Sequence, residues 1–240
     1  MRKVLIITLL VCFFSPAFSQ FSEAGFFAGG SFYNGDINPG QPFLQTKAGY
    51  GAVYRYNFDT RLAARIGVYR GQMAANEADI GIRPSRQASF EGNVTDISLV
   101  GEFNFLKYFT GSTMHRITPF IFGGVGYHLY SGKYSIQNGA SLNYDGNGFS
   151  VPFGIGFKYS LAENFGLSGE WGYRKTYEDQ LDGLSATYAG VPNSGSMQQL
   201  QLSNSSTNDW YSFAGITLTL KLDIFKREVC RDLQRKQVRQ

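Results

Sequence analysis

The segment AGYGAVYRYNFDTRLAARIGV, residues 48–68, decides the fold. In its first half Ala48, Tyr50, Ala52, Tyr54, Tyr56 and Phe58 fall on one face, and Gly49, Gly51, Arg55 and Asn57 on the other. A period of two is the side-chain period of a strand. Asp59-Thr60 marks a tight turn. Beyond it Leu62, Ala64, Ile66 and Val68 alternate with Arg61, Ala63, Arg65 and Gly67. The segment therefore reads as a hairpin with one apolar face and one face that carries arginine. On a membrane strand those arginines must point away from lipid, because a lipid-facing arginine costs about 2–4 kcal/mol at the bilayer midplane.

The same alternation recurs along the chain and predicts six more strands. They are Glu23–Tyr33, Asn93–Leu106, Thr118–Tyr130, Val151–Tyr159, a run from Phe165 to Arg174, and Trp210–Leu222. In the first, Ala24, Phe26, Ala28 and Phe32 oppose Glu23, Gly25, Gly29 and Ser31. In the fourth, Ile97, Leu99, Phe103 and Phe105 oppose Asp96, Ser98, Glu102 and Asn104. The sixth sets Val151, Phe153, Ile155, Phe157 and Tyr159 against Pro152, Gly154, Gly156 and Lys158. The seventh sets Phe165, Leu167, Trp171 and Tyr173 against Gly166, Ser168, Glu170 and Arg174. The last carries Ala214, Ile216, Leu218, Leu220 and Leu222 on its outer face. The fifth is rich in glycine and aromatics, and its faces stay unassigned.

The connectors alternate in length. They run long, short (around 59–60), long and polar (72–92), medium (107–116), long and Gly/Asn-rich (131–148), tight (162–164) and longest (177–209). Short periplasmic turns and long outer loops are the rhythm of an up-and-down transmembrane barrel. The expected fold is thus all-β: eight antiparallel strands closed into an outer-membrane barrel, with both termini in the periplasm. Tyr33, Tyr54, Tyr56, Tyr108, Tyr159, Tyr173 and Tyr211 cluster near strand ends and are expected to form the interfacial aromatic girdles. The competing reading makes them core aromatics of a soluble β-sandwich.

The N-terminus points to export. Arg2 and Lys3 precede an apolar run, Val4 to Phe14, that is too short to span a bilayer. Pro16 and Ala17-Phe18-Ser19 supply a cleavage site, so residues 1–19 are expected to be a signal peptide and the mature chain to begin at Gln20. The barrel is expected over 20–225 and a basic tail over 226–240. Aromatics make up 16% of the 240 residues and charged residues only 17%, which suits strands with one lipid-facing side. The net charge of +4 is local, and no basic face suits nucleic acid.

Candidate chemistry is sparse. His115 and His128 are the only histidines. His128 with Ser131 imitates the rim pair of outer-membrane lipid hydrolases, but no third group that would orient the imidazole can be assigned. The other reading leaves His128 an ordinary rim residue. No spacing of His, Cys, Asp and Glu suggests a metal site. Gly123-Gly124-Val125-Gly126 lacks the lysine and helix of a phosphate loop and is expected to relieve crowding inside a narrow barrel. Glu178, Asp179 and Asp182 beside Lys175 form either a cation-binding cluster or a solvated loop. The inward charges Arg61, Arg65, Glu102, Glu170 and Arg174, with Asp96, predict a buried ion-pair network that plugs the barrel. No catalytic residue, cofactor or small-molecule substrate is expected.

The tail is unusual. Lys226, Arg227, Arg231, Arg235 and Lys236 crowd it, and Cys230 is the only cysteine that outlasts the signal peptide. In an oxidising compartment a lone cysteine either bonds a partner or stays a free thiol. A periplasmic tail of this charge is a candidate docking segment.

Four stretches carry a resemblance. SFYNGDINP (31–39), TPFIFGGVG (118–126), EWGYRKTYEDQLD (170–182) and NDWY (208–211) resemble the PorG family, outer-membrane barrel components of the type IX secretion system. The resemblance spans nearly the whole mature chain. It implies a non-enzymatic scaffold that tethers the periplasmic ring of the lipoprotein PorK and of PorN to the outer membrane. Cys230 would then be a candidate for a disulfide to a ring protein. The alternative is a stand-alone small barrel, either structural or adhesin-like, or a lipid-modifying enzyme with its site at the rim.

Overall fold

A computed structural model describes residues 21–34, 43, 45–76, 89–135, 141–177, 181 and 209–222. These residues form eight strands: β1 (Phe21–Asn34), β2 (Lys47–Asn57), β3 (Leu62–Asn76), β4 (Ser89–Asn104), β5 (Ile117–Ser135), β6 (Ser141–Ser160), β7 (Phe165–Thr176) and β8 (Trp210–Leu222). Each pairs antiparallel with the next, and β1 pairs with β8 from Ser22↔Leu222 to Asn34↔Trp210, which closes the barrel. No helix among the described residues is long and apolar enough to cross a membrane.

The alternation read from sequence becomes two faces. Phe26, Tyr50, Ile66, Leu99, Ile155 and Leu218 are exposed on the outside. Glu23, Arg55, Arg65, Glu102, Lys158 and Arg174 are buried inside. Apolar out and ionised in is the pattern of a barrel surrounded by lipid. The glycine-rich fifth strand follows it: Phe120, Phe122, His128 and Tyr130 point in, and Ile121, Val125, Tyr127 and Leu129 point out.

Three expectations change. The polar segments hold strand at their ends: β3 runs to Asn76 and β4 begins at Ser89, and β5 and β6 remain paired from Gly126↔Ser150 up to Ser135↔Ser141, which makes most of 131–148 strand. The fifth connector is therefore only 136–140, which breaks the long-short rhythm at that point. Of the expected girdle, Tyr33, Tyr108 and Tyr211 are buried instead, at 1%, 3% and 1% exposure. A strand needs about 9–11 residues to cross a bilayer at the usual tilt. β2 has 11 and β7 has 12, whereas β5 has 19 and β6 has 20, so β5 and β6 project well past the lipid.

Described residues from the connectors are buried at both mouths. At the end with the tight turns, the connector 105–116 folds under the barrel. Thr110 is fully buried and donates to the carboxylate of Glu23, Gly111 N donates to Ser160 Oγ at 2.8 Å, and Tyr108 N donates to Thr60 O at 3.0 Å. Burial pushes the Tyr108 phenol up to about 12, so it stays a neutral hydroxyl there. At the opposite end Leu181 is buried among Tyr33, Phe90 and Met73. Asp209 holds it there by accepting from Leu181 N at 3.0 Å and from Tyr33 Oη at 2.5 Å.

Candidate functional site

The centre of the barrel is a chain of ion pairs built from six strands. Glu23 on β1 accepts from Arg55 on β2 at 2.6 Å. Glu102 on β4 then meets three cations: Arg55 at 2.8 Å, Arg65 on β3 at 2.8 Å and Lys158 on β6 at 2.6 Å. The two arginine contacts to Glu102 run through Nε, off the N–H direction, and are Coulombic rather than hydrogen-bonded. Lys158 also donates to Asn104 Oδ1 at 2.9 Å. Arg65 continues the chain to Glu170 on β7, which in turn accepts from Tyr69 Oη at 3.4 Å. Phe120 and Phe122 lie beneath the cations: Lys158 Nζ is 4.6 Å from one ring centre and Arg65 Cζ 5.0 Å from the other.

A second cluster lies towards the long-stranded end. Asp96 accepts from Tyr211 Oη at 2.7 Å and stands 3.9 Å from Arg174 Nε. Arg174 packs over both the Tyr69 and Phe213 rings, its Cζ 5.1 and 4.7 Å from their centres. His128 is fully buried, stacked on Tyr130 with ring centres 5.8 Å apart and tilted against Tyr211. Together the two clusters hold four acids (Glu23, Asp96, Glu102, Glu170) and four bases (Arg55, Arg65, Lys158, Arg174), all buried. Sites dry enough to bury eight charges require such pairing.

Of the expected interior charges, Arg65, Glu102 and Glu170 are brought into direct contact, and Arg174 joins Asp96. Arg61 is not inside. It is exposed in the turn before β3, where its Nη1 donates to Phe105 O at 2.9 Å. Strand parity begins at Leu62 and does not extend back to it. Glu23, Arg55 and Lys158 are network members that sequence reasoning put on inner faces but did not count as partners.

The hydrolase pair does not form: His128 is buried within the barrel, while Ser131 is exposed on the outer face. Of the glycine run, Gly124 and Gly126 share the inward parity of Phe122 and His128, whereas Gly123 faces out. Among the described residues no three His, Cys, Asp or Glu come together as metal ligands. Lys175 lies over the Trp210 ring at 5.6 Å; Glu178, Asp179 and Asp182 lie outside the described residues, as do the signal segment 1–19, Lys226, Arg227, Cys230, Arg231, Arg235 and Lys236. What the interior can do is hold strands in register.

A family model described as "Domain of unknown function (DUF6089)" matches residues 2–230. The comparison with curated proteins found no match. Among solved structures the chain is similar to a major outer membrane protein from Thermus thermophilus, with 15% identity and TM-score 0.49 over 85% of this chain and 100% of that one. It is also similar to Ail, the attachment invasion locus protein of Yersinia pestis, with 12% identity and TM-score 0.47 over 85% and 100%. The N-terminal barrel domain of Pseudomonas aeruginosa OprF gives 13% and 0.45 over 85% and 97%. The fold itself rests on the strand order and register described above.

Proposed function

The chain belongs to the DUF6089 family, and from that premise together with its filled barrel we propose that it is a non-enzymatic scaffold of the outer membrane. Its task is to anchor a periplasmic assembly, the PorK–PorN ring of a type IX secretion system, through its periplasmic side. The observation that carries this reading is the filled interior. Among the described residues eight buried charges occupy the middle, Thr110 is buried at one mouth and Leu181 at the other, which supports a role for the outer surfaces and loops rather than for the lumen. Function then falls to surfaces.

The choice of surface and partner comes from the sequence. The motifs at 31–39, 118–126, 170–182 and 208–211 resemble the PorG family, and the 226–240 tail adds a basic periplasmic segment with one cysteine. Export through the signal segment 1–19, and a periplasmic C-terminus, belong to the same reading.

The test is a pull-down from detergent-solubilised membranes, with the full chain and with 226–240 deleted. The full chain is expected to retain both ring proteins, and the deletion to lose most of them. A non-reducing gel should carry a heavier, thiol-sensitive band that vanishes in Cys230→Ser. Secretion and ring recovery unchanged by the deletion would reject the tail as the docking segment. A full chain that recovers no ring protein at all would reject the scaffold role, and leave the stand-alone barrel.

A further inference from the structure

The projecting parts of β3–β6 change character within four residues. Antiparallel register sets their outward side chains in rows. One row is Val68–Ile97–Tyr127–Phe149, wholly apolar, with Tyr127 and Phe149 in edge contact at 5.4 Å. Two rows further from the tight-turn end the outward residues are Gln72–Asn93–Ser131–Asp145, and the row beyond is Ala74–Glu91–Lys133–Asn143. At about 3.4 Å per residue the first polar row lies roughly 14 Å along the strands from the aromatic pair. That spacing carries the face out of hydrocarbon and into the headgroup layer.

The polar rows line a cleft of about 600 Å3, bounded on one side by Lys47. The inward row between them is Met73–Gly92–Gly132–Tyr144, packed so closely behind the cleft that a side chain at Gly132 would meet the Tyr144 hydroxyl at 2.5 Å. Tyr144 is fixed in turn by donating to Leu181 O at 3.1 Å. The cleft presents two cations (Lys47, Lys133), two carboxylates (Glu91, Asp145), three amides (Gln72, Asn93, Asn143) and a hydroxyl (Ser131).

We propose that this cleft binds the saccharide headgroup of a glycolipid in the outer leaflet. Two observations single out that occupant. The strip continues the lipid-facing surface of the same four strands, so whatever lies against it belongs to the lipid ring around the barrel. Its cations (Lys47, Lys133 and the exposed Arg70 one row nearer the lipid) stand among carboxylates and amides rather than alone, which suits a sugar that carries phosphate better than a bare phosphodiester. Amides and carboxylates in rows match vicinal hydroxyls, and the two lysines match phosphate substituents on a sugar. The proposal rests on the reading that the long-stranded end faces outward from the cell.

The full chain, refolded in detergent micelles, is titrated with rough lipopolysaccharide and with lipid A, which lacks the core sugars. Native mass spectrometry reads the bound fraction. The core-bearing lipid is expected to bind at least about tenfold tighter. Gln72→Ala/Asn93→Ala/Asn143→Ala should erase that difference while heat-modifiable migration stays as in the parent. Should the triple variant not fold, Gln72→Ala and Lys133→Ala, both at exposed positions, are read singly and should each reduce the preference. Equal binding of the two lipids by the parent, or a preference that survives in the folded variants, overturns the proposal. So does a protein, rather than lipopolysaccharide, crosslinked through position 143 in whole membranes.

Orientation is tested separately. Asn143→Cys in a Cys230→Ser background should react with a membrane-impermeant thiol reagent on intact cells. Failure to label there would sink the topology, whereas the micelle titration does not depend on it.

Discussion

Glu102 is the residue on which the interior depends. It faces Arg55, Arg65 and Lys158 at once, whereas Glu170 serves Arg65, which Glu102 also serves. Removing one side of a buried pair costs about 3–5 kcal/mol, because the remaining charge stays in a poor solvent. Glu102→Leu should therefore lower the temperature of the heat-modifiable gel transition more than Glu170→Leu does. The reverse order would mean that Glu102 is hydrated in the folded barrel. Alternation in sequence could place Arg65, Glu102 and Glu170 on inner faces. It could not say which acid meets which base, since that is set by the stagger of strands up to 105 residues apart.

Among the described connectors, 105–116 is the one with its own architecture. The other two described turns, 58–61 and 161–164, close over four residues, but this one tucks Tyr108 and Thr110 under the barrel. Its path needs Gly111, whose φ of 94° is the left-handed region. A Cβ there would also strike Glu163 O. Gly111→Val should release the connector while the strands stay paired, seen as rapid proteolysis within 105–116 of an otherwise heat-modifiable barrel. Equal protease resistance of variant and parent would show that the buried side chains alone hold it.

Strand extensions, by contrast, were not legible. Within the lipid band the two faces differ in polarity, and the period of two is plain at Ala48–Phe58 and Leu62–Val68. Past the band the outer face becomes polar, as at Gln72, Asn93, Ser131 and Asp145, and the contrast disappears. The ends of 72–92 and most of 131–148 then look like loops although they are in strands. β8, apolar on its outer face to its end at Leu222, could be bounded from sequence at both ends.

For the whole molecule the first consequence is sidedness. A peptide tag inserted in the 177–209 connector should be accessible on intact cells, and a tag after Gln240 should not. Surface labelling of the C-terminal tag would invert the topology. The second consequence concerns how such a molecule is made. Glu23, Arg55, Arg65, Asp96, Lys158 and Arg174 come from six different strands, and Tyr211 on the eighth completes the Asp96 cluster. An open sheet of β1–β5 could already pair Glu23 with Arg55 and Arg65 with Glu102, but it would leave Asp96 without Arg174 and Arg65 without Glu170. Were it to enter the hydrocarbon one hairpin at a time, each of them would meet acyl chains. The pairing is completed only when β6, β7 and β8 are in place, and the unfinished sheet, with its charged face open, needs a wet or proteinaceous shelter until its last strand arrives.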